Sequence, residues 1–134
     1  RLEGDNAWYN EKTQKKEDVV KQLSFWNFPK LLVIVLKRFT PDGQSKISST
    51  IDFPIKDLDL SRYVKGYNPA FYVYDLYGIC NHFGGISGGH YTSCINNADN
   101  KWVHFDDEDM SIITDELSLI SPNAYCLFYR KKNK

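Results

Sequence analysis

The stretch Asn81–Asp107, NHFGGISGGHYTSCINNADNKWVHFDD, decides the fold. It opens with a glycine-rich segment, Gly84, Gly85, Gly88 and Gly89, that ends at His90. Tyr91–Ile95 then alternates like a strand, Asn96–Asn100 is a cluster of turn formers, and Lys101–Phe105 is a second strand that delivers Asp106 and Asp107. Two β-type runs joined by about five turn residues read as a hairpin. With the turn centred on Ala98, Ile95 faces Lys101, Cys94 faces Trp102 and His90 faces Asp106. Directly opposed residues have Cβ atoms about 4.5–5.5 Å apart on one face of the sheet. A carboxylate there can hold one imidazole nitrogen and leave the other to act as a general base. A slip of one residue would set His90 against Asp107 instead, so spacing leaves the two aspartates open. The competing reading is an ordinary strand histidine beside a solvated strand end. Loop glycines on one side and an opposed carboxylate on the other favour a site.

The rest of the composition sets bounds. A chain of 134 residues can bury one real core and is too short for two ordinary domains. Lys plus Arg equals Asp plus Glu at 17 each, so no net field points to nucleic acid or to an anionic membrane. Aromatics make up 15%, which suits β-structure and large contact surfaces. Cys80, Cys94 and Cys126 are an odd set without CxxC spacing. That pattern predicts free thiols and a reducing intracellular compartment, cytoplasm or nucleus. The apolar run Leu31–Leu36 is far too short to span a membrane, and no signal peptide is visible. The expectation is a soluble intracellular domain.

Outward from the hairpin, Phe71–Cys80 alternates as a strand leading into Asn81, and Ala124–Arg130 is a last aromatic strand before a basic tail. Lys30–Phe39 (KLLVIVLKRF) has the pattern of a central strand buried on both faces, with Lys37-Arg38 as its solvated rim. Val19–Phe25 fits a strand or a short helix, and Pro41-Asp42-Gly43 is a turn. Pro54 keeps Ile51–Pro54 out of a central strand. Asp57–Val64 reads as one or two helical turns, Lys65–Ala70 as loop and Glu108–Ser111 as a connection. Thr114-Asp115-Glu116 caps a short helix. Strands with small helices between them and no βαβ alternation predict an α+β domain, mainly antiparallel β-sheet.

The chain resembles the C-terminal half of the ubiquitin-specific protease catalytic domain, a papain-like fold of fingers, palm and thumb. The resemblance rests on Gly4-Asp5-Asn6 with Trp8-Tyr9, on LLVIVLKRF after Pro29, on Ile51-Asp52-Phe53-Pro54 with LDLSRYV, and on Tyr74-Asp75-Leu76 leading into Asn81-His82-Phe83-Gly84. It is completed by GGHYTS, KWVHFDD and AYCLFYR, in order along the whole chain. The resemblance implies that residues 1–28 are fingers and palm strands and that 29–134 are palm. It implies His90 as general base of a Cys-His-Asp/Asn triad, Asp106 as the group that orients it, and Asp107 as a supporting polar neighbour. The segment Gly84–Gly89 would be a blocking loop beside the channel for the ubiquitin C-terminal tail. His82 and Tyr91 would touch that tail, and a core role for Tyr91 stands beside this. Partners would be ubiquitin, ubiquitinated proteins and the N-terminal half of the same catalytic domain.

Two departures qualify the resemblance. The family's nucleophile sits in a Gly-Asn-Thr-Cys segment of the N-terminal half, and no such segment occurs here. Cys80, Cys94 and Cys126 lie in strands, away from the electropositive, exposed setting a reactive thiolate needs, and read as structural. Alone, the chain is therefore expected to be inactive. The positions of the family's Cys-x-x-Cys zinc pair after Trp-Tyr hold Asn10 and Thr13, so no metal and no cofactor are expected. A deubiquitinase segment leads. The alternatives are a catalytically inactive ubiquitin-binding scaffold and, further off, an unrelated β-rich interaction domain.

Overall fold

The structure, a computed structural model, describes residues 1–67 and 71–133. The described strands are β1 (Trp8–Asn10), β2 (Lys15–Glu17), β3 (Leu31–Val35), β4 (Leu58–Asp59), β5 (Val73–Gly85), β6 (Gly88–Asn96), β7 (Trp102–Asp106), β8 (Asp109–Ile113) and β9 (Ala124–Lys131). β1 and β2 form a separate ribbon. The others make an antiparallel seven-stranded sheet, ordered β3-β9-β5-β6-β7-β8, with β4 also paired to β5. The expected mainly antiparallel architecture is the observed one. Its helical pieces include 3-10 turns at Gly4–Asn6, Ser61–Tyr63 and Glu116–Leu119. The last of these is capped as its sequence dictates: the Asp115 carboxylate accepts from the Leu117 amide at 3.0 Å.

Alternation sorts the side chains onto two faces. On the inner face Ile34, Leu127, Ile79 and Cys94 lie side by side across β3, β9, β5 and β6. Phe53, Val64 and Leu119, from the segments between strands, close over them. Tyr74 and Tyr129 are fully buried there, and each hydroxyl finds a carbonyl, Pro29 and Pro54 respectively, at 2.7 Å. Burial pushes the Tyr129 phenol up to about 12. The outer face is also apolar and is only partly covered: Val103 and His82 are buried, while Val33, Val35, Ile95, Phe105, Met110 and Ile112 are exposed. One row runs from Val35 through Cys126, Cys80, Ser93 and Phe105 to Met110. The next runs from Val33 through Phe128, Gly78, Ile95 and Val103 to Ile112.

Several local expectations are corrected. Lys30–Phe39 forms a strand only over Leu31–Val35, at an edge of the sheet and not at its centre, and its burial alternates, with Leu31, Val33 and Val35 exposed. A purely apolar run does not reveal which of its faces the same chain will cover. Arg38, expected on a solvated rim, is 2% exposed. Its guanidinium donates to the carbonyls of Ala124 at 2.6 Å, Ile47 at 3.0 Å and Ser49 at 2.8 Å. It thereby ties the Phe39–Lys46 turn to the start of β9. Val19–Phe25 is neither helix nor strand and contributes only single bridges, Val19 to Leu2 and Phe25 to Val64. Asp57–Val64 divides into β4 and the Ser61–Tyr63 turn, and most of Glu108–Ser111 belongs to β8. The expected loop Lys65–Ala70 lies in part outside the described residues.

Candidate active site

The β6–β7 hairpin sets the site. Its turn is centred on Asp99 rather than Ala98, because Asn97 organises it: the Asn97 carbonyl side chain accepts from the amides of Asp99 at 3.0 Å and Lys101 at 2.9 Å. Asn100 takes the left-handed conformation, φ 57°, which asparagine tolerates better than most residues. The resulting pairs are Asn96 with Trp102, Ile95 with Val103, Cys94 with His104 and Ser93 with Phe105. The expected pairing of His90 directly with Asp106, and of Cys94 with Trp102, is therefore off by two residues. Two is an even number, so each side chain keeps its face. Continued past Ser93–Phe105, this register sets Asp106 opposite Thr92, and His90 becomes its diagonal neighbour. Diagonal neighbours lie about 7–8 Å apart at the backbone, within reach of long side chains.

That reach is used. His90 Nε2 hydrogen-bonds Asp106 Oδ1, with both side chains about half exposed, 47% and 46%. Asp107 follows in the left-handed region, φ 48°, within the two-residue turn that joins Asp106 to Asp109. It is not the hydrogen-bond partner, but its carboxylate, that of Asp106 and the His90 ring each offer an atom within 4.8 Å of the others. The bond to Asp106 raises the His90 pKa above its ordinary value; burial opposes this, and the charges of Asp106 and Asp107 add to the rise. Because Nε2 is engaged, Nδ1 is the nitrogen left for a second partner.

The glycines do not form a wide loop. Gly85 pairs with Gly88 and Gly84 with Gly89, so β5 and β6 meet in a two-residue turn at Ile86-Ser87. Gly84 has φ +93°, and a Cβ there would lie 2.8 Å from the Gly88 carbonyl oxygen. A Cβ on Gly89 would stand 2.3 Å from both His82 Nε2 and the Phe83 carbonyl oxygen. Gly89 thus lies against the His82 ring. His82, expected to touch the ubiquitin tail, is 4% exposed, and its side chain supports the hairpin from behind. Tyr91, opposite it, is 54% exposed and is no core residue. Their rings are 4.7 Å apart, and Phe39 and Tyr125 pack on His82 at 5.6 and 6.0 Å. Burial, aided by the Lys46 ammonium, lowers the His82 pKa.

Sequence reasoning missed this support. Lys46 Nζ donates to the His82 carbonyl across 36 positions of sequence, a contact no local pattern announces. Asn81 and Thr92, both buried, pair across β5 and β6, and the Asn81 amide also reaches Cys94 Sγ at 3.6 Å. Their alternation with His82 and Tyr91 was the available signal. Burial pushes the thiols of Cys80, Cys94 and Cys126 up, which disfavours the thiolate at each. At the β1–β2 ribbon Asn10 Nδ2 and Thr13 Oγ1 both donate to the Glu17 carboxylate, at 3.0 and 2.5 Å. Those two bonds, Thr13's first, hold the Glu17 carboxyl below its usual range.

Comparison with known proteins agrees along nearly the whole chain. Residues 6–129 match the family described as ubiquitin carboxyl-terminal hydrolase. Ubiquitin carboxyl-terminal hydrolase 12 of Saccharomyces cerevisiae is 44% identical over 133 residues, 96% of this chain and 10% of that protein. Ubiquitin carboxyl-terminal hydrolase 15 of Homo sapiens is 35% identical over 136 residues, 99% of this chain and 14% of that protein. Among solved structures, a chain of the SAGA DUB module bound to monoubiquitin superposes with a TM-score of 0.82 at 28% identity. It is matched by 99% of this chain over 30% of its own length. The same module bound to ubiquitin aldehyde gives 0.79 at 26% identity, with 99% and 31% covered. The chain thus spans about a tenth to a seventh of these curated relatives and under a third of the solved chains.

Proposed function

Because the chain belongs to the ubiquitin carboxyl-terminal hydrolase family, we propose that it is the part of a thiol-dependent deubiquitinase that supplies the general base and the carboxylate orienting it. The observation that carries this reading is the His90 Nε2–Asp106 Oδ1 hydrogen bond at the open end of the hairpin. Asp106 fixes the ring and its tautomer, leaving Nδ1 to take the proton of a cysteine thiol on the N-terminal half of the catalytic domain. The thiolate attacks the carbonyl of ubiquitin's last glycine. His90 returns the proton to the leaving lysine amine, and a thioester remains. Water then attacks the thioester while His90 takes its proton, which releases the ubiquitin carboxylate and restores the thiol. Asp107 adds negative charge that favours the transient imidazolium.

Ubiquitin's tail would run along the β5–β6 tip, where Gly84, Gly85, Gly88 and Gly89 allow backbone to approach backbone. Tyr91 offers an exposed ring beside it, and His82 holds that ring from below. The raised thiol pKa values support a nucleophile outside this chain, and the free thiols support work in a reducing compartment. The test is intact-mass analysis with a ubiquitin C-terminal electrophile, on this chain alone and mixed with a cysteine-bearing N-terminal half. Labelling of the added half in the mixture only, lost on His90→Ala, is expected. Labelling of this chain alone would place the nucleophile among its own cysteines. A complex that forms and never reacts would make the protein a ubiquitin-binding scaffold.

A further inference from the structure

A cavity of about 420 Å³ lies at the end of the sheet away from the β5–β6 tip. Its walls are the Ile55-Lys56 segment ahead of β4, residues 75–77 of β5, the turn after β6 and the end of β9. Phe83 pairs with His90, and Asp75 precedes Phe83 by eight residues on β5, so the cavity stands roughly 27 Å from His90 at about 3.4 Å per residue. The chain as a whole has no net charge, yet this wall sets Lys56, Arg130, Lys131 and Lys132 against one acid, Asp75. That acid is already engaged. Its carboxylate accepts from the Asp57 amide at 2.9 Å and lies 3.5 Å from Lys132 Nζ, which the Asp57 carboxylate also holds at 2.7 Å. Lys56, Arg130 and Lys131 form no ion pair among the described residues. Two of them lie over rings instead: the Arg130 guanidinium is 4.9 Å from the centre of Tyr77, and the Lys131 ammonium 4.0 Å from that of Tyr72. A ring under a guanidinium occupies its face and leaves its N–H edge for an anion.

We propose that this cavity binds a phosphate monoester, with Arg130 and Lys56 as the principal contacts of its phosphate. Like charges gathered on one wall repel, and an anion among them turns that cost into attraction. Three cations without a carboxylate partner suit a dianion better than a single carboxylate. A phosphate monoester carries about −1.5 to −2 charges at neutral pH and three strong acceptor oxygens. A guanidinium takes two such oxygens at once, and an ammonium adds a point charge. The volume exceeds the need of a bare anion and falls within the range of about 300–1,000 Å³ usual for organic ligands. Ile55, Leu76 and Tyr77 supply apolar surface for the group that carries the phosphate. Asn96 Oδ1, in the same wall, is buried without a hydrogen-bond partner and can take an N–H or O–H of that group. A phosphorylated serine in a protein segment and a free nucleotide both present this chemistry.

The test titrates this chain with the blocked tripeptide Gly-phosphoserine-Gly, its unphosphorylated counterpart, adenosine monophosphate and inorganic phosphate, followed by calorimetry and NMR. At least one ester should bind with a Kd of about 10⁻⁴ M or tighter. In the wild-type chain it should move the side-chain amide signals of Asn96, Asn97 and Asn100 and leave the ring signals of His90 in place. Lys56→Gln and Arg130→Gln, both at exposed positions, should each weaken binding about 10-fold, the usual scale for a hydrogen bond to a charged group. Arg130→Lys, which keeps the charge and loses the fork, should fall between Arg130→Gln and the wild type. Lys21→Gln removes the same charge from an exposed position outside the cavity and should change nothing. Tighter binding of the phosphopeptide would assign the cavity to a phosphorylated protein, and tighter binding of the nucleotide to a small metabolite. No binding of either ester would overturn the proposal. So would binding equalled by the unphosphorylated peptide or by inorganic phosphate, or a loss in Lys21→Gln as large as in Arg130→Gln. The titration needs neither ubiquitin nor an N-terminal half, so its failure leaves the deubiquitinase reading untouched and its success does not depend on it.

Discussion

His82 and His90 lie on the two arms of one hairpin, and their surroundings are opposites. His90 stands half in solvent with a carboxylate on one nitrogen, and its pKa is raised. His82 is buried among aromatic rings with a lysine at its own carbonyl, and its pKa is lowered. Tyr91 is the link, paired with His82 across the strands and next to His90 in sequence. The difference teaches how the same side chain is assigned to chemistry or to architecture. In the role proposed for it His90 is left open, held at one nitrogen and near charge, while the supporting His82 is enclosed.

The sharpest way to break this contrast is to delete each ring in the assembled enzyme. His90→Ala should cost about 10²–10⁴ in the rate of reaction with a ubiquitin electrophile, the usual worth of a general base, and leave the urea midpoint of this chain unchanged. His82→Ala should do the reverse at the level of the fold, removing about 2–4 kcal/mol of stability by opening a cavity against Phe39, Tyr91 and Tyr125. Equal losses of activity and stability in both variants would erase the distinction.

Gly89→Ala probes the joint between the two. Its Cβ would overlap the Phe83 carbonyl, which cannot swing away, as well as the His82 ring. A loss of about 1–3 kcal/mol is expected from overpacking. The ring signals of His82 in an NMR spectrum should move, and those of His90 should move less.

The smallest effect is in pH. His90 gains protons more readily when folded, so its pairing with Asp106 contributes fully below the unfolded value of about 6.5. That contribution fades as pH rises through the higher folded value. His82 runs the other way: the unfolded chain protonates first, so stability falls as pH drops below about 6.5 toward the lowered folded value. Asp106→Asn should bring the His90 titration down toward 6.5 without moving that of His82. A common shift of both, followed by NMR, would mean that the two rings share one electrostatic environment.

What the sequence made legible followed from local patterns. Alternation in Tyr91–Ile95 and Lys101–Phe105 was enough for the hairpin, and the cap at Asp115 was written in three consecutive residues. Register was not legible, because it depends on the Asn97 side chain choosing which amides to accept from. Nor was the fate of Lys37-Arg38: Arg38 turns inward to carbonyls as distant as Ala124. KLLVIVLKRF announced burial on both faces, yet whether a face is covered depends on what lies against it. The His90–Asp106 proximity came through despite the shifted register, while the position of His82 did not, since a neighbour of a glycine-rich turn can point out or in.

The β6–β7 hairpin therefore has a reading frame of two. A change in the Asn97–Lys101 turn that moves the pairing by two residues is a silent edit, trading a facing pair for a diagonal one with the histidine and the carboxylate still on the same side. A move by one is a frameshift that sends Trp102 out, Val103 in and Asp106 away from the imidazole at a stroke. Length variation among related hairpins should accordingly come in pairs, and an engineer who wishes to relocate the tip without rewriting the sheet should insert or remove residues two at a time.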